Sequence, residues 1–239
     1  MKIALIGYGK MGHMIEEVAL ERGHKVVARI DAGDAFELNG ADVAIEFTTP
    51  VTAEENIRKA WAQGVPVVCG STGWIQNLSP TLSTREGEWT IEKTSNKVIV
   101  KDEKGKTMLV WSSNYSVGVN IFFDINQLLA KKMSEQPQYT PSITETHHIH
   151  KLDKPSGTAK TLAEQIENLS PTLPTREGER IPIESIREGE VPGTHEVKWD
   201  SEEDTIIITH IAKGRRGFAL GAVLAAEKLG SGNNQVKTR

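Results

Sequence analysis

A short apolar run meets six residues that leave the fold little freedom: Lys2 to Ile6 leads straight into Gly7-Tyr8-Gly9-Lys10-Met11-Gly12. The run of Ile, Ala, Leu and Ile reads as a buried parallel strand. Apolar residues at helical spacing follow at Met14, Ile15, Val18 and Ala19. A second strand, Lys25 to Ile30, then ends at Asp31, nineteen positions beyond Gly12. Gly7 permits a tight turn off the strand, Gly9 lets backbone approach a pyrophosphate, and Gly12 allows close helix–strand packing. Asp31 is placed to accept hydrogen bonds from ribose hydroxyls, which favours NAD over its 2′-phosphorylated relative. Arg29 and Lys10 are nearby cations and keep NADP open. A glycine triplet alone means no more than a tight turn. Strand, glycines, helix, strand and terminal acid together point to a dinucleotide site.

The alternation continues with a strand over Asp42 to Phe47, a helix over Thr52 to Gln63 and a strand over Val65 to Cys69. Repeated βαβ units imply a parallel sheet, whose ligands lie beyond the carboxyl ends of the strands. The segments at those ends are Gly7 to Gly12, Phe47-Thr48-Thr49-Pro50 and Gly70-Ser71-Thr72-Gly73. A further strand, Met108 to Trp111, precedes a long amphipathic helix from Val117 to Met133. Strand-like runs follow at Ser142 to Ile149, Ile181 to Arg187, His195 to Trp199 and Thr205 to Ile211, and a helix at Arg216 to Leu229. The expected fold is α/β: a Rossmann-type parallel-sheet domain (1–115 with 213–239), then an α+β domain with an open mixed sheet (116–212). The C-terminal helix returns to the first domain.

Charge is ordinary, with 28 basic against 32 acidic residues, which speaks against nucleic-acid binding. The single cysteine, Cys69, cannot form an internal disulfide and reads as an inert thiol in a buried strand. No apolar run approaches membrane-spanning length and no signal segment is evident, so a cytoplasmic protein is expected.

The second chemical signal is Glu145 to Ala159, where three histidines, a lysine and a Pro-Ser-Gly-Thr turn share fifteen residues. Imidazoles titrate near neutrality and can donate protons. The Ser-Gly-Thr step opens a helix, whose N–H groups attract carboxylates and phosphates. His148 and His150 have the spacing of a metal pair on a strand, but no third ligand accompanies them, and no metal is expected. His13, His24, His195 and His210 read as surface or packed histidines, and Lys154 as a solvated turn residue.

One segment repeats. Ile75 to Glu88 recurs almost unchanged from Ile166 to Glu179. Proline, serine, threonine and charge dominate both copies, so each reads as a solvated loop dispensable for chemistry, and as an inserted, translated genetic element.

With these motifs in place the chain resembles the 4-hydroxy-tetrahydrodipicolinate reductase (dihydrodipicolinate reductase) family of lysine and diaminopimelate synthesis. The resemblance rests on the glycine motif, Val43 to Thr48, Gly70 to Trp74, Ser113 to Asn120, the Glu145–Ala159 run and Arg187 to His195. Against the family pattern, the stretch from Trp74 to Trp111 is long. Removing roughly Ser79 to Asn96 restores its spacing and leaves Lys97 to Lys106 as the element before the next strand. The polar end, Gly230 to Arg239, also departs from the pattern.

The resemblance implies hydride transfer from NADH or NADPH to C4 of a cyclic dicarboxylic imine, with loss of water from the hydroxylated substrate. It makes His147 a proton donor and acceptor and Lys151 a second donor. It has His148 contact the substrate, and Gly157 and Thr158 hold one of its carboxylates. Cofactor contacts carried over are Gly7, Tyr8, Gly9, Lys10, Met11, Gly12, Asp31, Gly70, Ser71, Thr72, Ser112, Ser113, Asn114 and Tyr115. It further implies a homotetramer assembled through the second sheet, with the histidine–lysine cluster facing the nicotinamide across an interdomain cleft. Elementary chemistry agrees, because hydride delivery to a conjugated imine leaves electron density that an imidazolium or ammonium can protonate. An aspartate- or homoserine-type dehydrogenase would have no reason to carry the histidine–lysine cluster and the Pro-Ser-Gly-Thr turn. A catalytically idle NAD-binding sensor would bind cofactor without turnover.

Overall fold

A computed structural model describes residues 1–75, 81–84, 87–94, 96–169 and 180–231. The chain divides into two compact units, Met1–Ser116 with Arg216–Arg239, and Val117–Arg215.

In unit 1 the sheet starts from β1 (Lys2–Ile6), whose apolar side chains are buried on both faces. Helix α1 (Lys10–Glu21) begins inside the glycine motif, earlier than its apolar spacing alone indicates, with Gly9 in the N-cap position. Its buried face is Ile15, Val18 and Ala19. Next come β2 (Lys25–Ile30), β3 (Val43–Glu46), α2 (Ala53–Ala62) and β4 (Val67–Cys69). β2 has the bounds read from the sequence, and the other three start or end one or two residues inside them, as helix and strand ends commonly do.

The first copy of the repeated segment departs from expectation. Instead of a solvated loop it supplies β5 (Thr81–Thr84) and the start of β6 (Gly87–Lys93), an antiparallel pair. β6 pairs with β7 (Lys97–Lys101), which pairs antiparallel with β8 (Thr107–Ser112). The sheet order is β2-β1-β3-β4-β8-β7-β6-β5, parallel from β2 to β8 and antiparallel beyond. The physical reason is edge pairing: β7 would otherwise present a row of unpaired backbone groups. Threonine and tryptophan suit a pleated, half-buried surface. Trp89 is buried, with its ring 4.7 Å from that of Trp61, and its indole N–H donates to Glu103 Oε2 at 3.1 Å. Ile75, at the head of the copy, is buried as well. Of the second copy, residues 166–169 end a helix of unit 2, and 170–179 lie outside the described residues.

Helix α5 (Arg216–Gly230) belongs to unit 1, where Ala219, Ala222, Val223 and Ala226 pack with Ile3, Leu5, Val43 and Ile45.

Unit 2 holds α3 (Val117–Met133), β9 (Thr140–His147), α4 (Gly157–Leu169), β10 (Ile183–Arg187), β11 (Thr194–Asp200) and β12 (Thr205–Ile211). Its sheet runs β10-β9-β11-β12, with the first pair parallel and the others antiparallel. Strands β9 and β11 alternate strictly between buried and half-exposed positions. The buried face carries Ile143, Val197 and Trp199 against Phe123, Leu162 and Ile166 of the helices. Toward the His147 end of β9 the same face turns polar, because the alternation places Glu145, His147 and His195 there.

Candidate active site

In unit 1 the glycine turn, the end of β2 and the β3–α2 connection enclose a cleft of about 430 Å³. Gly7 and Gly9 line it, as do Asp31, Asp34, Thr48 and Asn56. Gly7 has φ +91°, and a Cβ there would run into the Phe47 carbonyl. A Cβ on Gly12 would likewise meet the Gly7 carbonyl, so both positions serve close packing. Gly9 has open space around it. The first turn of α1 has no side-chain cap and no acidic residue, so its N–H groups and positive dipole end suit a pyrophosphate. These features fit a dinucleotide.

Two charges resolve differently from a reading of β2 alone. Arg29 donates through Nε to Glu16 Oε2 at 2.9 Å and through Nη2 to Oε1. The Tyr8 hydroxyl donates to the same carboxylate. Hydrogen bonding to Arg29 holds the Glu16 carboxyl below its ordinary range, and Glu16 in turn raises Arg29. The guanidinium is thus committed within the protein, while Lys10 is exposed. Asp31 accepts from the Ala32 N–H at 3.0 Å, and its own N–H donates to Asp34 Oδ2 at 2.8 Å. Asp34 is a cleft residue that sequence reasoning missed. Its signal was a second carboxylate three positions past Asp31.

The remaining residues named for the cofactor do not line this cleft. Gly70 packs on the Phe47 ring. Ser71 is buried, its Oγ accepting from the Thr48 N–H at 2.9 Å and its carbonyl accepting from the indoles of Trp74 and Trp111. Thr72 is exposed. The Ser112 hydroxyl donates to the Asn114 carbonyl at 2.8 Å, and Asn114 Oδ1 accepts from the Ser116 N–H. Ser113 is half-buried near the Asn96 carbonyl. The Tyr115 hydroxyl sits between the carbonyls of Val110 and Cys69, at 2.7 and 3.0 Å. Tyr8, Met11 and Lys10 flank the glycine turn. Cys69 is fully buried, with its thiol on Glu46 Oε2 at 3.0 Å. Burial pushes that thiol's pKa up, which leaves it inert.

In unit 2 the histidine segment forms a buried polar cluster. Glu145 Oε2 accepts from His147 Nδ1. Glu145 Oε1 accepts from Arg187 Nη2 at 2.9 Å and from the Ser156 N–H at 3.2 Å. Ser156 is next to His195 Nε2 at 3.0 Å, and its Oγ caps α4 by accepting from the Ala159 N–H. The rings of His147 and His195 meet edge-on at 5.0 Å. Burial pushes the Glu145 carboxyl up, but the hydrogen bonds from Arg187 and His147 outweigh it and hold it at about 2. Burial lowers His147, partly offset by Glu145 and reinforced by the charges of Lys151 and Arg187. His195, more deeply buried and beside His147, is pushed down to about 3.

Lys151 Nζ pairs with Asp153 Oδ1 at 2.7 Å. Gly157 and Thr158 form the first turn of α4. His148 is half-buried, and its Nδ1 is buried without a hydrogen-bond partner. His150 is exposed beside Glu190. Among the described residues, the set with ligand atoms close enough for a metal is Glu145, His147 and His195, not the His148–His150 pair. In that set the Arg187 guanidinium already neutralises the carboxylate. Glu145, Ser156 and Arg187 were missed as site residues. Each looks like an ordinary polar residue until the β9–β10 register and the turn before α4 join them.

Two family models match the chain, "Dihydrodipicolinate reductase, N-terminus" over residues 34–115 and "Dihydrodipicolinate reductase, C-terminus" over residues 118–238. The chain belongs to the dihydrodipicolinate reductase family. The reductase is 42% identical over 237 residues to the 4-hydroxy-tetrahydrodipicolinate reductase of Christiangramia forsetii, covering 96% of this chain and 92% of that protein. It is 35% identical over 260 residues to the enzyme of the same name from Archaeoglobus fulgidus, covering 95% and 93%. In fold it resembles a dipicolinate-bound dihydrodipicolinate reductase from Paenisporosarcina sp. TG-14, with a TM-score of 0.68 at 19% identity, covering 97% of this chain and 95% of that one. As a member of this family the reductase is an oxidoreductase that uses NADH or NADPH.

Proposed function

We propose that this chain reduces 4-hydroxy-tetrahydrodipicolinate to tetrahydrodipicolinate with loss of water, at the expense of NADH or NADPH, in lysine and diaminopimelate biosynthesis. The observation that carries the reading is the buried His147–Glu145 pair beside the start of α4, in a chain that the family models match over residues 34–115 and 118–238. The bound nicotinamide supplies the hydride. The chain's own residues hold the cofactor and manage protons. The uncapped end of α1 and the Gly7–Gly12 turn receive the pyrophosphate. His147 and Lys151 deliver the proton that the reduced ring requires. His148, Gly157 and Thr158 contact the substrate, with the α4 start taking one carboxylate. Asp31 and Asp34 face the adenosine ribose. Because Arg29 is already paired with Glu16, these carboxylates repel a 2′-phosphate, and NADH is the preferred donor.

Assembly as a homotetramer through the unit 2 sheet, and a cytoplasmic location, complete the reading. Among the described residues no helix is long and apolar enough to cross a membrane.

The test is cofactor oxidation with substrate freshly generated from aspartate semialdehyde and pyruvate. Turnover is expected, faster with NADH at subsaturating cofactor. His147→Gln combined with Lys151→Met lowers kcat at least about 100-fold, the scale of lost acid–base catalysis, while NADH affinity stays. A folded, NADH-binding wild type that does not turn over would overturn this reading. Full activity in the double variant would remove both residues from the chemistry.

A further inference from the structure

Strand β9 buries two ionisable residues two positions apart, and only one of them has been given a chemical task. Glu145 is wholly buried and His147 nearly so. A carboxylate so placed is costly unless every oxygen is satisfied. Here Oε1 takes Arg187 from β10 and the Ser156 N–H from the turn before α4, while Oε2 takes His147 Nδ1. One side chain therefore ties the imidazole to the turn that opens the Gly157–Thr158 helix.

We propose that Glu145 is a positioning residue for the reduction: it fixes the His147 ring, holds its Nδ1–H tautomer, and leaves Nε2 as the atom that exchanges the proton with substrate. This inference rests on the role given to His147 above. An acidic acceptor at Nδ1 leaves that nitrogen only as a donor, so the other nitrogen must carry the exchangeable proton. Space beside Nε2 is kept by Gly193, which has φ +145° and whose Cβ, if present, would lie 3.0 Å from that atom.

Charge balance gives Glu145 its second task. The groups around the ring are Glu145 on β9, Lys151 and Asp153 in the following turn, Arg187 on β10, His195 on β11 and, through His195, His210 on β12. Burial, Lys151 and Arg187 all disfavour the imidazolium, and Glu145 is the hydrogen-bonded group that opposes them. Without it the donor form of His147 would be scarce at the pH where it is needed.

Glu145→Gln keeps the size and loses the charge. Steady-state kinetics should show kcat down by about 100-fold, with KM for the substrate and Kd for NADH little changed. The alkaline limb of the kcat–pH profile should move to lower pH. Imidazole 15N resonances of the wild-type reductase should report an Nδ1–H tautomer for His147, and the variant should lose it. A folded Glu145→Gln reductase with unchanged kcat and pH profile overturns the proposal. Should that variant not fold, the wild-type spectrum still decides, because an Nε2–H tautomer for His147 overturns it equally. His147→Gln separates the two readings. If that variant is active, the role of His147 falls. If it is inactive while Glu145→Gln is unimpaired, only the role of Glu145 falls.

Discussion

At the scale of single residues, the buried cluster of unit 2 makes stability depend on pH in a definite direction. Glu145 titrates at about 2 in the folded chain against an ordinary 4.5. Its contribution is complete above pH 4.5 and is lost as pH falls toward 2. His195 titrates at about 3 against 6.5. The unfolded chain therefore binds the proton first, and stability is lost as pH falls below 6.5. Both act in the same sense. Urea midpoints measured from pH 7 to 3 should fall continuously, and His195→Asn should flatten the upper part of that decline. A midpoint independent of pH between 6.5 and 4.5 would contradict the burial of His195. His147 was singled out from residue type and motif, and the structure buries it against Glu145. Glu145 was not singled out, because a glutamate in an alternating strand looks like a solvent-facing position until the count of alternate residues is anchored on the apolar Ile143.

At the scale of elements, the strand–glycine–helix–strand run was legible because its signals are local: an apolar run, a turn needing Gly7, and a 3.6-residue period. The hairpin β5–β6 was not. Its composition resembles a solvated loop, and what recruits it is pairing on the edge of β7 and packing on Trp61, which lies far earlier in the sequence. Trp89 is the anchor. Trp89→Ala should cost about 3 kcal/mol, the lower end for an aromatic truncated in a core, and lower the thermal midpoint. The hairpin lies beyond β7, and Trp89 does not line the cleft at the glycine turn. NADH affinity and kcat should therefore be unchanged. A loss of NADH binding would show that the repeated segment reaches the cleft.

At the scale of the whole molecule, the unit 2 sheet has one face covered by α3 and α4 and an opposite face bearing Ile186, Ile207 and Ile211, all exposed. An apolar face of this kind favours association. Light scattering of the reductase should give roughly four times the 26.3 kDa chain mass, and Ile207→Glu should reduce it. A wild-type monomer would remove the homotetramer from the proposed function.

The order of elements outside the β5–β6 hairpin, the glycine turn and the histidine–lysine segment are properties of the sequence alone, because each is written in neighbours along the chain. The partner of each charge is not. Arg29 meets Glu16 thirteen residues away, and Arg187 meets Glu145 forty-two away. Those pairings follow from helix packing and strand register, which decide which side chains meet, and for Glu145 a low-dielectric interior makes a counterpart necessary.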